Sequence, residues 1–594
     1  MAPTYIVGVF AGGPNPAACV MRDGELLAFA EEERFVREKT AVNRYPAHAV
    51  KFCLEYGGID ITEVTSIAFG WNAQKYAFVS GGSQMEQFYD SLSKIYSKDV
   101  KTLASEKEIL LRFQPERIES TLFQALSEVG IRVSKKSPTI QYFSHHHCHA
   151  ASAFFCSGFA SSSILTIDGS GEETCLALWE GRGSQIQITE RVELPNSLGW
   201  LYSCFTEYLG FRPYRDEGKV MALAAYGRPD TNLERVFDKV TGLVESFPFY
   251  RVDPNYIFYG RHSYGRRFTD KLVTELGAPR EPCFEVDQVS ADIAYQLQKR
   301  LEDAVLSFLR HTLAKRPKNN LCLAGGVALN CKLNRVLATE QKEGLFEGFF
   351  IQPLSSDAGT ALGAALLENY RIGLGRHVPL KHLYWGPNFS NDEISGVLRK
   401  SGVKYNRVSS VATEAAQLLS EGSVVAWFQG RAEAGPRALG NRSILANPTS
   451  SRHAEAVNLK LKRREPWRPF GSSMLLDAAD DILIRSEAAP FMIQSFLVKD
   501  SFRKQIPAVV HIDGSTRPQT VTRENELLHE ILEKFRDLTG MPLVLNTSFN
   551  GLNEPLVNTP DEAIETYLGS DLDALIIGEF VIKRNGTSPS DLDS

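Results

Sequence analysis

Ser144-His-His-His-Cys-His-Ala-Ala-Ser-Ala-Phe154 places four of the chain's twelve histidines within five residues. The surrounding Ala, Ser and Phe suit a helix. On a helix residues i and i+4 share a face, so His145 and His149 can present imidazoles to one metal ion while His146 and His147 point elsewhere. Carboxylates able to complete the shell stand at Asp168, ending a predicted strand, and at Asp357 in Ser355-Ser-Asp-Ala-Gly-Thr-Ala-Leu-Gly-Ala-Ala365. Two imidazoles with carboxylates suit Fe(II), Mn(II) or Zn(II). The alternative is that the histidines cap a helix or pack under a loop.

A second concentration of chemistry is cationic. Arg431, Arg437 and Arg442 lie in GRAEAGPRALGNRS, Lys460, Lys462, Arg463, Arg464 and Arg468 in LKLKRREPWRPFGSS, and Arg517 in HIDGSTRPQTV. Arginine grips phosphate or carboxylate with two donors, and lysine acts as a point charge. Lys460, Arg463 and Arg464 read partly as a solvated helix face. Arginines set among Gly, Pro and aromatic residues have fixed backbones and buried stems, which favours a ligand-facing role. Asn546-Thr-Ser-Phe-Asn550 follows a strand, and its amides and hydroxyls either orient a small polar group or make a plain turn.

Elements must bring these residues together. Three predicted strands end in glycine: Gly12-Gly13 after Tyr5–Phe10, Gly169 and Gly171 after the strand ending at Asp168, and Gly325-Gly326 after Asn320–Ala324. Glycine lets backbone N–H groups approach a phosphate closely. Three such junctions point to a nucleotide cleft between two α/β lobes and resemble the actin and sugar-kinase superfamily. A hairpin is predicted over residues 19–30, turning at Asp23-Gly24, and later strands over 424–428, 542–546 and 571–577. No fixed-period repeat is visible. A Gly- and Pro-rich stretch, Arg371 to Ser390, marks a boundary between domains 1–375 and 376–594. The last ten residues, NGTSPSDLDS, are expected to fray.

Composition sets the outer limits. The 594 residues are 43% hydrophobic and 23% charged, which is globular usage and excludes disordered and collagenous chains. The net charge of −6 gives no overall basic excess for nucleic acid, so any anion site is local. No apolar run reaches the roughly 18 residues of a membrane span. The start has no basic stretch before its apolar residues, so no signal peptide is expected. Nine cysteines, none as Cys-x-x-Cys, argue against a disulfide framework and for the reducing cytosol.

With these residues assembled, the chain resembles the antibiotic-type O-carbamoyltransferases, which include nodulation and aminoglycoside enzymes. The matching stretches run along nearly the whole chain: AFAEEERFVREK, SHHHCHAASAF, TIDGSGEE, EGKVMALAAYG, LAGGVALN, SSDAGTALGAA, GRAEAGPRALGNRS, WRPFGSSM, STRPQTV and LNTSFN. The resemblance implies an α/β protein with an actin-like, two-lobed N-terminal carbamoyl-transfer domain and a C-terminal α/β carbamoyladenylate-forming (YrdC-like) domain. The second domain would join carbamoyl phosphate and ATP, with Mg, into carbamoyl-AMP. The first would pass the carbamoyl group to a hydroxyl of a small-molecule acceptor, a secondary metabolite such as an antibiotic precursor. An iron-type metal would sit on His145, His149, Asp168 and Asp357. The adenylate pocket would use Arg437, Lys462, Arg468, Arg517, Asn546 and Ser548. Lys39, Asp168, Gly169, Gly171, Gly325, Gly326 and Asn330 would contact nucleotide in the first domain. Carbamoyl-AMP hydrolyses if released, so an enclosed passage between the domains is expected.

One position departs from the family. Its His-Asp-Ala-Ser, whose histidine serves as base for the acceptor, is matched here by Pro14-Asn15-Pro16-Ala17. His146 is the candidate replacement; the alternative is that no protein base is used. Loops around residues 72–103 and 252–268 are expected to face the acceptor. Two other readings stand beside the first: threonylcarbamoyl-type modification of tRNA, disfavoured by the charge balance, and a non-catalytic nucleotide-binding regulator, disfavoured by the intact cation set. The expected state is a monomer or homodimer, without nucleic-acid or membrane partners.

Overall fold

The structure is a computed structural model that describes residues 3–79, 81–94, 100–258, 266–283 and 285–584, without the side chains of 100–105. The last ten residues, expected to fray, lie outside the described residues, as do parts of the two stretches expected to face the acceptor. The chain divides into two compact units, Met1–Glu32 with Thr40–Leu380 and Glu33–Lys39 with Lys381–Ser594. The division thus falls at 380/381, and a seven-residue segment from early in the chain belongs to the second unit.

The first unit repeats one sheet plan. Its first sheet contains β1 (Tyr5–Phe10), β2 (Ala17–Arg22), β3 (Glu25–Glu31), β4 (Val64–Phe69) and β5 (Ile140–Tyr142) in the order β3-β2-β1-β4-β5. The first three are antiparallel, and β4 and β5 run parallel to β1. Its second sheet contains β6 (Ser161–Gly171), β7 (Thr174–Arg182), β8 (Gln185–Glu193), β9 (Asn320–Ala324) and β10 (Phe349–Ile351) in the order β8-β7-β6-β9-β10. Here too three antiparallel strands are followed by two parallel to the first. The duplication leaves no period in the sequence, because sheet topology constrains burial pattern rather than residue identity. β1 is buried along its whole length, YIVGVF, as a strand covered on both faces should be.

Each fifth strand leads to a helix. α1 (His145–Ser157) follows β5. α2 (Leu198–Tyr208), α3 (Gln288–Leu313) and α4 (Cys331–Lys342) come next, and α5 (Ala358–Arg371) follows β10. α1 and α5 pack together at backbone distance: a Cβ on Gly363 would lie 1.9 Å from the Cys148 carbonyl oxygen, and one on Gly8 of β1 would lie 2.1 Å from that of Ala361. The stretch expected as a loop near 72–103 is largely helical, with Gln84–Leu92 and Val100–Arg112.

The second unit is an eight-stranded sheet. Its strands are β11 (Asn406–Arg407), β12 (Val425–Phe428), β13 (Arg442–Ala446), β14 (Gly471–Leu475), β15 (Pro518–Val521), β16 (Leu543–Ser548), β17 (Ala574–Ile577) and β18 (Phe580–Lys583), in the order β11-β18-β17-β12-β13-β16-β14-β15. α6 (Val411–Ser420) and α7 (Glu526–Thr539) pack on each other, with apolar residues such as Leu419 and Phe535 in the shared core. All nine cysteines are free thiols. Among the described residues no helix is long and apolar enough to cross a membrane.

Candidate active site

The duplicated plan places metal-type ligands at equivalent points. Asp168 lies near the end of β6, the first strand of the second sheet. His145 opens α1 and Asp357 is the N-cap of α5, the two helices that follow the fifth strands. The i,i+4 spacing puts His149 one turn along α1. The result is one cluster: His145, His149, Asp168 and Asp357 each offer a ligand atom, and these atoms lie within 4.8 Å of one another. His149 Nε2 is 3.0 Å from Asp168 Oδ2 and 3.1 Å from His145 Nε2, and His145 Nε2 is 3.6 Å from Asp357 Oδ1.

The cluster fits a divalent cation. Burial opposes a charge on His145, yet hydrogen bonds to Asp168 and Asp357 raise its pKa to about 10. A carboxylate field strong enough to do that favours a positive ion between the ligands. The Asp357 side chain makes no cap hydrogen bond, so its oxygens remain available. The surroundings hold the imidazoles rigidly. His145 Nδ1 faces the Gly70 carbonyl at 3.2 Å, leaving Nε2 for the cluster. Glu172 replaces Ser144 as the helix cap, its Oε1 accepting from the backbone N–H of His145 and Asn72. The His145 ring packs against Trp71 and Phe10.

The glycine junctions serve this cluster closely. A Cβ on Gly171 would lie 2.5 Å from His145 Cδ2, one on Gly13 3.2 Å from Asp357 Oδ2, and one on Gly326 3.1 Å from Asp168 Oδ1. Gly325, at φ +93°, turns the chain where a Cβ would meet the Ile167 carbonyl at 2.2 Å. Gly169 donates its N–H to Asp168 Oδ1. Asn330, expected at the nucleotide, has its side chain engaged within the protein: it caps α4 through Leu333 N–H and bonds Gln298.

His146 does not suit the role of base. Both its nitrogens are taken within the core, Nδ1 by Thr166 Oγ1 at 2.8 Å and Nε2 by the Thr174 carbonyl at 3.0 Å, and burial pulls its pKa down to about 3. His147 is stacked on Trp179. At Pro14 no replacement base follows in sequence: Asn15 adopts φ +58° and donates its backbone N–H to Thr40.

In the second unit the strand register gathers the cation motifs at one end of four adjacent strands. Ser548 ends β16 opposite Ser443 of β13, Gly471 opens β14 opposite Asn546, and Pro518 opens β15 opposite Ser472. Arg437 precedes β13, Lys462 and Arg468 precede β14, and Arg517 precedes β15. Lys462 is buried and its Nζ donates to Ser548 Oγ at 3.0 Å and Asn550 Oδ1 at 2.6 Å. Burial, with repulsion from Arg464, Lys39 and Arg468, pulls this amine well below its ordinary range. Lys39, expected in the first domain, therefore belongs to the second unit, beside Lys462.

Arg464 lies over the Phe470 ring at 4.2 Å rather than on a solvated face, and burial together with Arg468 and Arg517 lowers its pKa. Lys460 is paired with Asp573 at 2.6 Å. Arg442 and Arg431 are structural. Arg442 is buried over Phe428 and donates to the carbonyls of Gln429, Gly430 and Pro387, and Arg431 donates to those of Trp385 and Gly386. Asn546 Nδ2 donates to Ser473 Oγ, while its buried Oδ1 has no partner among the described residues. The sequence pattern alone could not separate these roles, because cations that hold the backbone and cations that face a ligand share the same Gly/Pro context. It also did not single out Glu172.

The chain thus carries a cluster of metal-type ligands in one α/β unit and a cluster of cations in the other. Residues 6–366 match the family description carbamoyltransferase N-terminus, and residues 416–584 match carbamoyltransferase C-terminus. The chain belongs to the carbamoyltransferase family and is a carbamoyltransferase. An uncharacterized protein of Synechocystis is 33% identical over 99% of this chain and 98% of its own. Nodulation protein NolNO of Sinorhizobium fredii is 36% identical over 97% of this chain and 80% of its own. Nodulation protein NolO of Bradyrhizobium diazoefficiens is 37% identical over 75% and 80%. Among solved structures, the ROK hexokinase of Thermus thermophilus is 16% identical and covers 63% of this chain and all of its own at a TM-score of 0.31, too low to define a fold.

Proposed function

We propose that the protein is an ATP-dependent carbamoyltransferase that forms carbamoyl-AMP in its second unit and transfers the carbamoyl group to a hydroxyl of a small-molecule acceptor in its first. The carrying observation is the cluster in which burial together with Arg464, Lys39 and Arg468 opposes the charge on Lys462, and burial together with Arg468 and Arg517 opposes that on Arg464. Gathering like charges costs folding free energy, and a bound polyanion offsets that cost. Carbamoyl phosphate and ATP are such anions. Water cleaves carbamoyl phosphate to carbamate and phosphate, and a carbamate oxygen then bonds to the α-phosphorus of ATP as diphosphate leaves, giving carbamoyl-AMP. Lys462, fixed by Ser548 and Asn550, and Arg517 at the head of β15 are placed to neutralise the phosphates while diphosphate leaves from the α-phosphorus.

The transfer step forms a bond from the acceptor oxygen to the carbamoyl carbon and breaks the bond to the AMP phosphate, giving a carbamate ester, AMP and a proton. His145, His149, Asp168 and Asp357 would hold the metal, with iron, manganese or zinc compatible with the donor set and Mg accompanying ATP. When bound, the metal supplies Lewis-acid polarisation of a carbonyl or phosphoryl oxygen. The glycine junctions at Gly171 and Gly325-Gly326 would border the adenylate phosphate, the Gly169 N–H being held by Asp168 Oδ1. The repeated sheet of the first unit supports its reading as an actin-like, two-lobed fold, and the second unit is read as YrdC-like.

The test is diphosphate release from ATP that depends on carbamoyl phosphate, measured for the wild type and for Arg517→Ala. Removing one transition-state cation is expected to cost about 10²–10³-fold. Metal content should stay the same. Undiminished diphosphate release in Arg517→Ala would overturn the assignment.

A further inference from the structure

Beside the metal-type cluster lies a charged side chain that the mechanism above does not use. Arg267 is 1% exposed, and its Nε and Nη2 have no hydrogen-bond partner among the described residues. Its backbone is held on both sides: its N–H donates to Glu207 Oε2, and its carbonyl accepts from Phe258. The guanidinium lies against a pair of edge-to-face aromatic rings, 4.8 Å from the Tyr214 centroid and 5.6 Å from that of Trp200. Cation–π contacts and a side-chain hydrogen bond with Tyr214 offset part of the loss of water but leave Nε and Nη2 without a partner among the described residues.

The place is adjacent to the reaction centre. Trp200 of α2 directs its indole N–H at Ser170 Oγ, 3.4 Å away, and packs against Gly169, next to Asp168. A Cβ on Gly199 would meet the Asp168 backbone at 2.6 Å, so α2 abuts the end of β6. Tyr214 lies within the field of Asp357. The neighbouring acids do not close on the fork. Glu207 Oε2 accepts the backbone N–H, and Glu217 Oε1 accepts from the Tyr214 backbone. Burial raises Glu217 to about 7 even against the pull of Arg267, so this carboxyl is only partly charged at neutral pH.

A buried guanidinium with two open donors is costly to keep. Nε and Nη2 are the edge of arginine that matches two oxygens of one carboxylate or phosphate. We propose that the Nε–Nη2 edge of Arg267 binds an oxyanion, a phosphate or carboxylate, of a compound that occupies the first unit's site. Two sources carry that chemistry: the phosphate of the adenylate, which rests on the function proposed above, and an acidic group on the acceptor, which does not.

The experiment uses the full chain with Arg517→Ala, which weakens the second unit's anion cluster, and compares it with the same chain carrying Arg267→Met or Arg267→Lys. Calorimetric titrations use AMP, adenosine and inorganic phosphate. AMP is expected to bind roughly tenfold or more weakly to both variants, with adenosine unaffected, as loss of a charge-assisted pair requires. That result assigns the anion to the adenylate. Unchanged AMP affinity with lost phosphate binding keeps the oxyanion site and assigns it to the acceptor. Phosphate and AMP affinities unchanged in both variants overturn the proposal. Arg267→Met should also melt at or above the parent temperature without anion, since it removes a buried charge whose Nε and Nη2 have no partner among the described residues. A lower melting temperature, with no anion-induced shift in the parent, would mark Arg267 as structural and end the proposal. Arg267→Lys keeps the charge but not the fork, so it reads the site should the methionine variant fail to fold.

Discussion

Four histidines in five residues have three different fates, decided by what each ring nitrogen touches. His145 and His149 turn Nε2 toward two carboxylates, His146 spends both nitrogens on Thr166 and the Thr174 carbonyl, and His147 stacks on Trp179. Spacing alone predicted the first pair, because i,i+4 geometry is a backbone property. It could not exclude His146 as a base, because a hydrogen bond to a threonine of β6, twenty residues along the chain, leaves no local mark. With proline at position 14 and His146 locked, no described imidazole near the cluster is left to take the acceptor's proton. The rate of carbamoyl transfer should therefore show no ionisation near the ordinary histidine range of about 6.5. A pH–rate profile of the transfer step, measured with preformed carbamoyl-AMP, checks this. A clear inflection there, abolished in His146→Gln, would restore His146 as the base.

At the level of elements, glycines decide how close the ligand-bearing segments come. A Cβ on Gly171 falls within 2.6 Å of His145 Cβ as well as 2.5 Å of its Cδ2, so the end of β6 and the first turn of α1 fit only without it. Gly171→Ala should displace the imidazole, lower metal content measured by elemental analysis, and cost about 1–3 kcal/mol in denaturant unfolding. Gly218→Ala, where nothing lies within 4 Å, should change neither. The hairpin over residues 19–30 and the strands ending at Asp168 and Ala324 were legible because burial, turn residues and β-branched runs coincide there. Helices at 84–92 and 100–112 were not, since aromatic and polar residues mixed without a strong motif read equally as loop. The fate of Arg442 and Arg464 was hidden for a related reason: a Phe428 or Phe470 ring under a guanidinium is a tertiary fact.

For the whole molecule, the two units hold different chemistry and should fail separately. Duplicated sheets in the first unit bring two imidazoles and two carboxylates together, and this arrangement contains none of the cations that gather in the second. The segment Glu33–Lys39 is the exception in sequence order: it belongs to the second unit, where Arg37 donates to the carbonyls of Leu556 and Pro555, and Lys39 adds to the charge around Lys462. Its motif lies among first-domain residues in chain order, so the sequence carries no mark of its membership in the second unit. If adenylate formation depends on the cation cluster and transfer on the metal-type cluster, removing the metal should separate them. Protein treated with a strong chelator and returned to Mg should keep diphosphate release and lose carbamate-ester formation, and restoring iron, manganese or zinc should recover the ester. His149→Ala should behave like the chelated protein and resist rescue, because Nε2 of that residue lies 3.0 Å from Asp168. Loss of diphosphate release on chelation, with Mg present, would mean that the two steps share the metal and that the units do not divide the reaction as proposed.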